Sequence, residues 1–305
     1  SHDESLHTYF SWLLYRGQGY EHSPMMHGPF QFHIVALTYF LFGASDLTSR
    51  IPAVLFSIGT VWMVWYWRRY LGKWGALIAG LLLVISPYML YYGRYVRNES
   101  FVGFSGILML YALLRHLEMG GKKYLYLLAA ALMLHFTTKE TSFIYTAQAL
   151  LFLAIYFIAQ VTRRPWKDAK NDYRSFIISL GITFVLAAAA VGYGMYMSDA
   201  ATFAGNETAI PSDPAAIAPP LLAPETASVS PVIVIALAAL IAFIFAAVFL
   251  IRGYTWERLR NERSFDLLMV CGTIVLPMLS PFPLKWSERW LHVNIPTTAP
   301  EVQAL

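Results

Sequence analysis

Two acidic residues, Asp3 and Glu4, stand side by side near the start of this 305-residue chain, directly ahead of an aromatic stretch. One carboxylate of such a pair can act as general base toward an acceptor hydroxyl or amine, while its neighbour orients the acceptor or holds a cation. The same pair also suits a helix N-terminus, where negative charge is favourable beside the helix dipole. Spacing alone leaves both interpretations open.

Positive charge recurs in the segment YYGRYVRNES, which contains Arg94, Arg97 and Glu99. Two arginines three residues apart share one side of a helical turn, and guanidinium groups bind phosphate oxygens through paired hydrogen bonds. Lys139 and Glu140, in the sequence TTKET, are further candidates for the same site. The alternatives are anchoring of the arginines among interfacial tyrosines, and extension of Lys139 to the membrane interface beside Glu140.

Four of the eight histidines lie in the first 29 residues, but their spacing matches no zinc signature such as His-Glu-x-x-His. A metal site built from His22, His27 and Glu21 stays an alternative to hydrogen bonding with a substrate phosphate or with the loop itself. The sequence does not establish a cofactor. A divalent cation is possible, and beside the histidine alternative its ligands would be Asp3 and Glu4.

The chain that must position these residues is unusually apolar. Hydrophobic residues make up 57% and charged residues 13%, about half of the roughly 25% charged residues that are usual in soluble domains. Eight uncharged runs approach the roughly 20 apolar residues that cross a bilayer core as a helix. These runs are Ile51–Trp67, Trp74–Gly93, Ser100–Leu114, Tyr124–Thr138, Thr141–Thr162, Ser175–Ser198, Thr226–Ile251 and Leu267–Leu284. The sequence therefore predicts an all-α integral membrane protein with about eight transmembrane helices.

Two shorter segments precede the first run. Leu6–Leu14 mixes aromatic and polar residues, which is typical of an amphipathic helix lying in the interface. Phe30–Phe42 is apolar, but its 13 residues give only about 20 Å of helix, which is too short to cross comfortably. Because the chain begins on HDES, we expect a first transmembrane helix to precede Ser1, and we expect truncation at the other end as well.

The distribution of basic residues predicts the orientation in the membrane. If Phe30–Phe42 lies at the interface and the eight runs alternate, fifteen of the 22 basic residues fall on one side, which is then cytoplasmic. The extracytoplasmic side receives four distant segments: Ser1–Pro29, Tyr92–Glu99, the corner Lys139-Glu140 and the loop Asp199–Pro231. The charge bias thus predicts one polar surface assembled from these segments.

The chain divides into five parts and contains no predicted soluble domain. These are extracytoplasmic juxtamembrane helices (1–49), a transmembrane core (50–198), an extracytoplasmic loop rich in Pro and Ala (199–231), further transmembrane helices (232–284) and an irregular tail (285–305). The single cysteine, Cys271, rules out a disulfide framework. The net charge of +4 is explained by basic loops between spans, so no nucleic-acid partner is expected.

The motifs HDES, EHSPMMHGPF, SRIPA, SPYMLYYGRYVRNES and TTKET, in this order, resemble the polytopic GT-C glycosyltransferases that use polyprenyl-phosphate sugars. That clan includes the protein O-mannosyltransferases and the lipid A aminoarabinose transferases. The likeness is greatest to prokaryotic membrane proteins described as flippase-activity-associated. It extends from Ser1 to about Tyr145, and more weakly to Pro283.

The resemblance implies roles for individual residues. Asp3 would be the catalytic base, and Glu4 its neighbour in acceptor or cation binding. The donor phosphate would lie near the basic residues Arg94, Arg97 and Lys139. Glu99 would be a second acidic residue of the site. His27-Gly28-Pro29 falls where mannosyltransferases carry His-Pro-Pro, and Gly28 departs from that pattern.

The predicted function is transfer of a sugar from a polyprenyl-phosphate donor to an unknown acceptor, with inversion at the sugar. The reaction would occur at the extracytoplasmic face of a prokaryotic plasma membrane. Two alternatives stay open: a transporter or flippase-associated protein for lipid-linked sugars, and a catalytically silent membrane subunit of a larger complex. A transporter would favour ionisable residues deep in several spans, and here the spans nearly lack them.

Overall fold

The computed structural model describes residues 2–20, 27–166, 169–207 and 231–279, and only the backbone at residues 2–3 and 197–207. These residues form α-helices and connecting turns, and no strand occurs among them. The helices are α1 (His2–Tyr15), α2 (Phe30–Phe42), α3 (Asp46–Val64), α4 (Arg68–Ile85), α5 (Pro87–Tyr92), α6 (Glu99–Met119), α7 (Lys122–Phe136), α8 (Thr141–Arg163), α9 (Lys170–Glu207), α10 (Pro231–Tyr254), α11 (Trp256–Arg260) and α12 (Arg263–Leu279). The predicted all-α class is confirmed.

Five helical segments of the described chain are long and apolar enough to cross a membrane: Asp46–Ile85, Glu99–Met119, Thr141–Arg163, Lys170–Tyr196 and Pro231–Tyr254. The first of them contains both α3 and α4. Each of the eight predicted runs overlaps at least one helix, but α7 and α12 have only 15 and 17 residues. The protein is a multi-pass membrane protein, and the number of eight spans stays a prediction.

Two predicted boundaries differ from the observed helices. The run Trp74–Gly93 is broken because Ser86 is extended (φ −60°, ψ 125°) and α5 begins at Pro87; proline has no N–H and disfavours helix at the residue before it. At the other boundary, α9 continues to Glu207, past the predicted loop start at Asp199; the first proline of that loop is Pro211, so none interrupts this stretch. The remaining loop residues, 208–230, and the predicted tail lie outside the described residues.

The chain divides into two compact units, Ser1–Ala159 with Glu262–Leu305, and Gln160–Asn261. In the first unit, α3 and α6 run side by side in the same direction. The ring centroid of Phe56 lies 4.9 Å from that of Phe101, and further along both helices Tyr66 lies 6.0 Å from Tyr111. Helix α4 connects the two, so it must run back between their opposite ends.

A buried apolar core joins α6, α7, α8 and α12 within the same unit. Its members are Met109, Ala112, Leu113, Leu128, Ala131, Leu132, Ala149, Leu153, Leu267 and Cys271. Ala112 and Ala131 are fully buried, at 0% exposure. Small residues at such positions let helices approach closely, which is the usual means of packing helices in a membrane.

The second unit is built on the pairing of α9 with α10. The indole of Trp166 is buried and donates a hydrogen bond to the carbonyl oxygen of Val161 at 2.9 Å. It lies against Gly253, where an added Cβ would stand 2.6 Å from the ring. Most apolar side chains of α9 point outward, with Phe184 67% and Val185 69% exposed, as lipid-facing residues do.

The two adjacent alanines Ala131 and Ala130 of α7 provide a test of this packing. Ala131 is buried and Ala130 is exposed. We expect Ala131→Leu to lower the free energy of unfolding by about 1–3 kcal/mol, because the extra atoms overpack the core. Ala130→Leu, the matched control, should change it by less than about 0.5 kcal/mol. Thermal unfolding of the purified protein in detergent measures both, and equal melting temperatures would contradict the assigned core.

Candidate active site

The site begins at the N-terminus of α3, where the sequence contains a strong helix-start signal. Ser45 and Thr48 form a capping box: the Thr48 backbone N–H donates to the Ser45 hydroxyl at 3.2 Å, and the Ser45 N–H donates to the Thr48 hydroxyl at 2.9 Å. Two helix-terminal donors are satisfied in this way. The cap fixes the first turn of α3 and therefore the position of Arg50 one turn later.

Glu4 connects α1 to α3 and to the loop before α6. The Arg50 Nε donates a hydrogen bond to Glu4 Oε1 at 3.0 Å, and the Val96 backbone N–H approaches the same oxygen at 3.5 Å. The Glu4 side chain is only 12% exposed, so the pair is partly screened from solvent. The structure thus brings the predicted carboxylate motif to the arginine-rich segment, across more than 90 residues of chain.

A second ionic cluster ties that segment to the corner between α7 and α8. The Lys139 Nζ lies 3.0 Å from Glu99 Oε1, and the Arg97 Nε lies 3.3 Å from Glu99 Oε2. The Arg97 guanidinium also stands over the ring of Tyr92, 5.6 Å from its centroid. Three sequence-predicted residues therefore meet in one triplet, with the acidic residue in the middle and 14% exposed.

The His27-Gly28-Pro29 segment docks on the same corner. The Gly28 N–H donates to the carbonyl oxygen of Thr138 at 3.1 Å, and the Phe30 N–H to that of Thr137 at 2.9 Å. An added Cβ at Gly28 would lie 2.2 Å from the Thr137 carbonyl oxygen. Proline could neither donate this hydrogen bond nor fit. The departure from His-Pro-Pro therefore has a structural reason in this chain.

His27 adds a side-chain contact to this docking. Its Nδ1 lies 2.7 Å from Glu140 Oε2, so Glu140 pairs with His27, and its neighbour Lys139 pairs with Glu99. His27 has a positive φ of 63°, an uncommon backbone conformation for a residue with a side chain. The hydrogen bonds of the next residues and the contact with Glu140 hold it there.

Arg94 has different neighbours from Arg97, although the spacing suggested a shared face. Its Nε donates to the carbonyl oxygen of Leu90 at 2.8 Å, and no carboxylate partner occurs among the described residues. Arg94 lines a groove of about 700 Å³ together with residues of α3: Asp46, Leu47, Arg50, Ile51, Val54 and Leu55. The groove has apolar walls from α3, while Arg50 and Arg94 supply two guanidinium groups.

Several residues of this region had no role assigned from the sequence. Arg50 follows a helix start in the motif SRIPA, and the only signal available was a basic residue on the predicted extracytoplasmic side. Asn98 and Gln31 are 2% and 0% exposed, and neither side-chain amide has a hydrogen-bond partner within the described residues. Buried amides without partners are uncommon in folded proteins.

Part of the predicted site lies outside the described residues. The backbone of Asp3 belongs to the first turn of α1, but the position of its side chain is not described, and His22 is not described at all. Within the described part of the chain, no three His, Cys, Asp or Glu side chains converge as metal ligands. Because the side chains of Asp3, Glu21 and His22 lie outside the described part, a divalent cation at Asp3 and Glu4 stays a prediction.

The fold and the comparison with protein families define the class as polytopic membrane glycosyltransferases of the GT-C type, which use polyprenyl-phosphate sugars. A model of the dolichyl-phosphate-mannose-protein mannosyltransferase family matches residues 26–193, more than half of the 305 residues. The chain belongs to this family, which confirms the resemblance. No curated protein and no solved structure matches it.

Gly28 gives a test of how the histidine-containing segment is held. We expect Gly28→Ala to displace this segment from the α7–α8 corner, because its Cβ would overlap backbone atoms that cannot move aside. The cost should be about 1–3 kcal/mol of unfolding free energy. Gly103→Ala is the matched control, since an added Cβ there meets nothing within 4 Å. A Gly28→Ala variant that melts at the same temperature as Gly103→Ala would contradict the docking.

Proposed function

We propose that this chain transfers a sugar from a polyprenyl-phosphate donor to an acceptor at the extracytoplasmic face, with inversion at the anomeric carbon. The observation that supports this most is the position of Arg50, which binds Glu4 and also lines the apolar groove. A carboxylate motif and a phosphate-binding groove thereby adjoin. Sugar transfer from a lipid phosphate requires both.

In the proposed reaction, Asp3 removes the proton from the acceptor hydroxyl or amine. The acceptor atom forms a bond to the anomeric carbon on the face opposite the donor phosphate, while the carbon–oxygen bond to the phosphate breaks. The bonding pair leaves with the polyprenyl phosphate, and the configuration at the sugar inverts. A base and a group of cations meet the two electrostatic needs of this step.

Glu4 and Asp3 then have different tasks. Because Glu4 already accepts from Arg50 and lies close to the Val96 N–H, we assign it to positioning: it holds the first turn of α1 against the loop and aims Arg50. Asp3 is left as the base. Any contact of Glu4 with a cation or acceptor would have to use carboxylate lone pairs that Arg50 does not occupy.

The donor's lipid phosphate is proposed to bind at Arg94 and Arg50, with the polyprenyl chain against the apolar α3 wall of the groove. Guanidinium groups bind phosphate through paired hydrogen bonds. Arg50 is partly neutralised by Glu4, and Asp46 lines the same groove, so Arg94 carries most of the available charge. Arg97 and Lys139 share Glu99 and would stabilise the neighbouring loop and corner around the sugar.

Replacement of the proposed base tests the catalytic role. Asp3→Asn should lower kcat by about 10²–10⁴-fold, the usual contribution of a general base, with little change in thermal stability. Transfer from a radiolabelled polyprenyl-phosphate sugar by the purified protein measures it, and Asp172→Asn in the other unit is the matched control. Equal transfer by Asp3→Asn and wild type would remove Asp3 from the base role. Absence of transfer by the wild type with every donor tried would favour the transporter or the silent subunit.

Replacement of Arg94 tests the donor site. Because its one described contact is with a backbone carbonyl, Arg94→Gln should leave the fold intact and raise KM for the lipid-linked donor about tenfold, the worth of one charge-assisted hydrogen bond. The value of kcat should be nearly unchanged. Arg16→Gln, which removes an exposed arginine near Trp12, is the control. An unchanged donor KM in Arg94→Gln would place the phosphate elsewhere.

A further inference from the structure

A second arginine-rich cavity lies in the first unit, far from the candidate active site. It has a volume of about 320 Å³ and is lined by Tyr66, Arg68, Arg69, Tyr111 and Arg115. Arg68 and Arg69 begin α4, and Arg115 belongs to the last turns of α6. None of these residues takes part in the proposed sugar transfer.

The cavity sits at the opposite end of the parallel helices α3 and α6. At 1.5 Å per residue, Tyr66 lies about 24 Å from Arg50 along the helix. That separation approaches the roughly 30 Å thickness of a bilayer's hydrocarbon core. If Arg50 lies at one interface, the cavity therefore lies near the headgroup level of the other leaflet.

Exposed tryptophans around the cavity support its position at the level of the lipid headgroups. Trp62, Trp65 and Trp74 are 62%, 40% and 79% exposed, and each is close in sequence to a residue that lines the cavity or to α4's first turn. Exposed tryptophans of this kind concentrate at membrane–water interfaces.

Among the described residues, the positive charge around the cavity exceeds the negative charge. Glu118 Oε2 forms an ion pair with Arg69 at 3.0 Å and accepts a hydrogen bond from Arg115 at 2.9 Å, so three guanidinium groups face one carboxylate. The Arg68 guanidinium contacts only neutral groups among the described residues, namely the Trp65 carbonyl oxygen at 3.2 Å and the Trp65 ring. Two positive charges remain for an anion.

Hydrogen-bond donors beside the cavity are also unsatisfied. The Nε of Arg115 is buried and has no acceptor among the described residues, and the same holds for the indole nitrogen of Trp67, whose ring lies 6.1 Å from that of Tyr111. Buried donors normally find a partner. A phosphate oxygen is an acceptor with the charge that this cavity lacks.

We propose that this cavity binds the phosphate of an anionic lipid headgroup in the leaflet opposite Arg50. Basic pockets between transmembrane helices are suited to such headgroups. The proposal depends on the placement of α3 and α6 across the membrane and does not depend on the assignment of Asp3 or Arg94.

Native mass spectrometry of the full chain in detergent tests the proposal. The probes are phosphatidylglycerol and phosphatidylcholine with identical acyl chains. We expect the wild type to bind phosphatidylglycerol preferentially, and Arg68→Gln/Arg69→Gln to bind it about tenfold more weakly, because charge-assisted hydrogen bonds are lost. Arg260→Gln, which removes a charge outside the cavity, should bind like the wild type. Equal binding of the two lipids, or an equal loss in Arg260→Gln, would overturn the proposal.

The single variant Arg68→Gln controls for misfolding, because no ion pair of Arg68 occurs among the described residues. It should weaken phosphatidylglycerol binding without lowering the melting temperature. A soluble probe, glycerol 3-phosphate, identifies the source of the phosphate. Weak binding of this probe is expected, because it has no acyl chains. If it bound as tightly as the lipid and the double variant lost both, the lipid assignment would be overturned in favour of a free phosphate.

Discussion

The ion pair between Glu4 and Arg50 is the contact on which the candidate site depends. It joins α1 to α3, and through the Val96 N–H it also reaches the loop before α6. A half-buried pair of this kind is stronger than a surface pair because less water screens it, but removal of one partner leaves the other charge poorly solvated. The Glu4–Arg50 ion pair therefore holds the first turn of α1, which contains the backbone of Asp3, beside the groove.

Composition was sufficient to predict the helices, because uncharged stretches near bilayer length have few other structures available in lipid. Each of the eight predicted runs overlaps at least one helix. The break at Ser86 could have been predicted from the sequence, because Pro87 follows it in the motif SPYMLYY. The extension of α9 to Glu207 was missed because the loop was predicted to start at the polar residue Asp199, whereas its first proline is Pro211.

The site was predictable as a group of segments but not as a set of pairs. Charge bias grouped the opening stretch, the arginine-rich loop and the Lys139 corner, and the described contacts connect all three. Which carboxylate meets which cation depends on distances of a few ångströms between helices, and sequence spacing gives none of these across long separations. Arg50 had no assigned role for this reason, and Arg94 and Arg97 received a common one.

The described ion pairs also explain how the candidate site could direct a lipid phosphate to one arginine. Arg97 and Lys139 are neutralised in part by Glu99, and Arg50 by Glu4, whereas Arg94 has no described carboxylate partner. The charge of Arg94, which no described ion pair neutralises, lies in the groove beside the apolar wall of α3, and Asp46 lines the same groove. Because an anion is drawn to charge that remains uncompensated, a lipid phosphate would be directed to Arg94, and its chain would lie along α3 toward the bilayer. The same helix ends near Arg68, Arg69 and Arg115, so its two ends carry charge suited to phosphates of opposite leaflets.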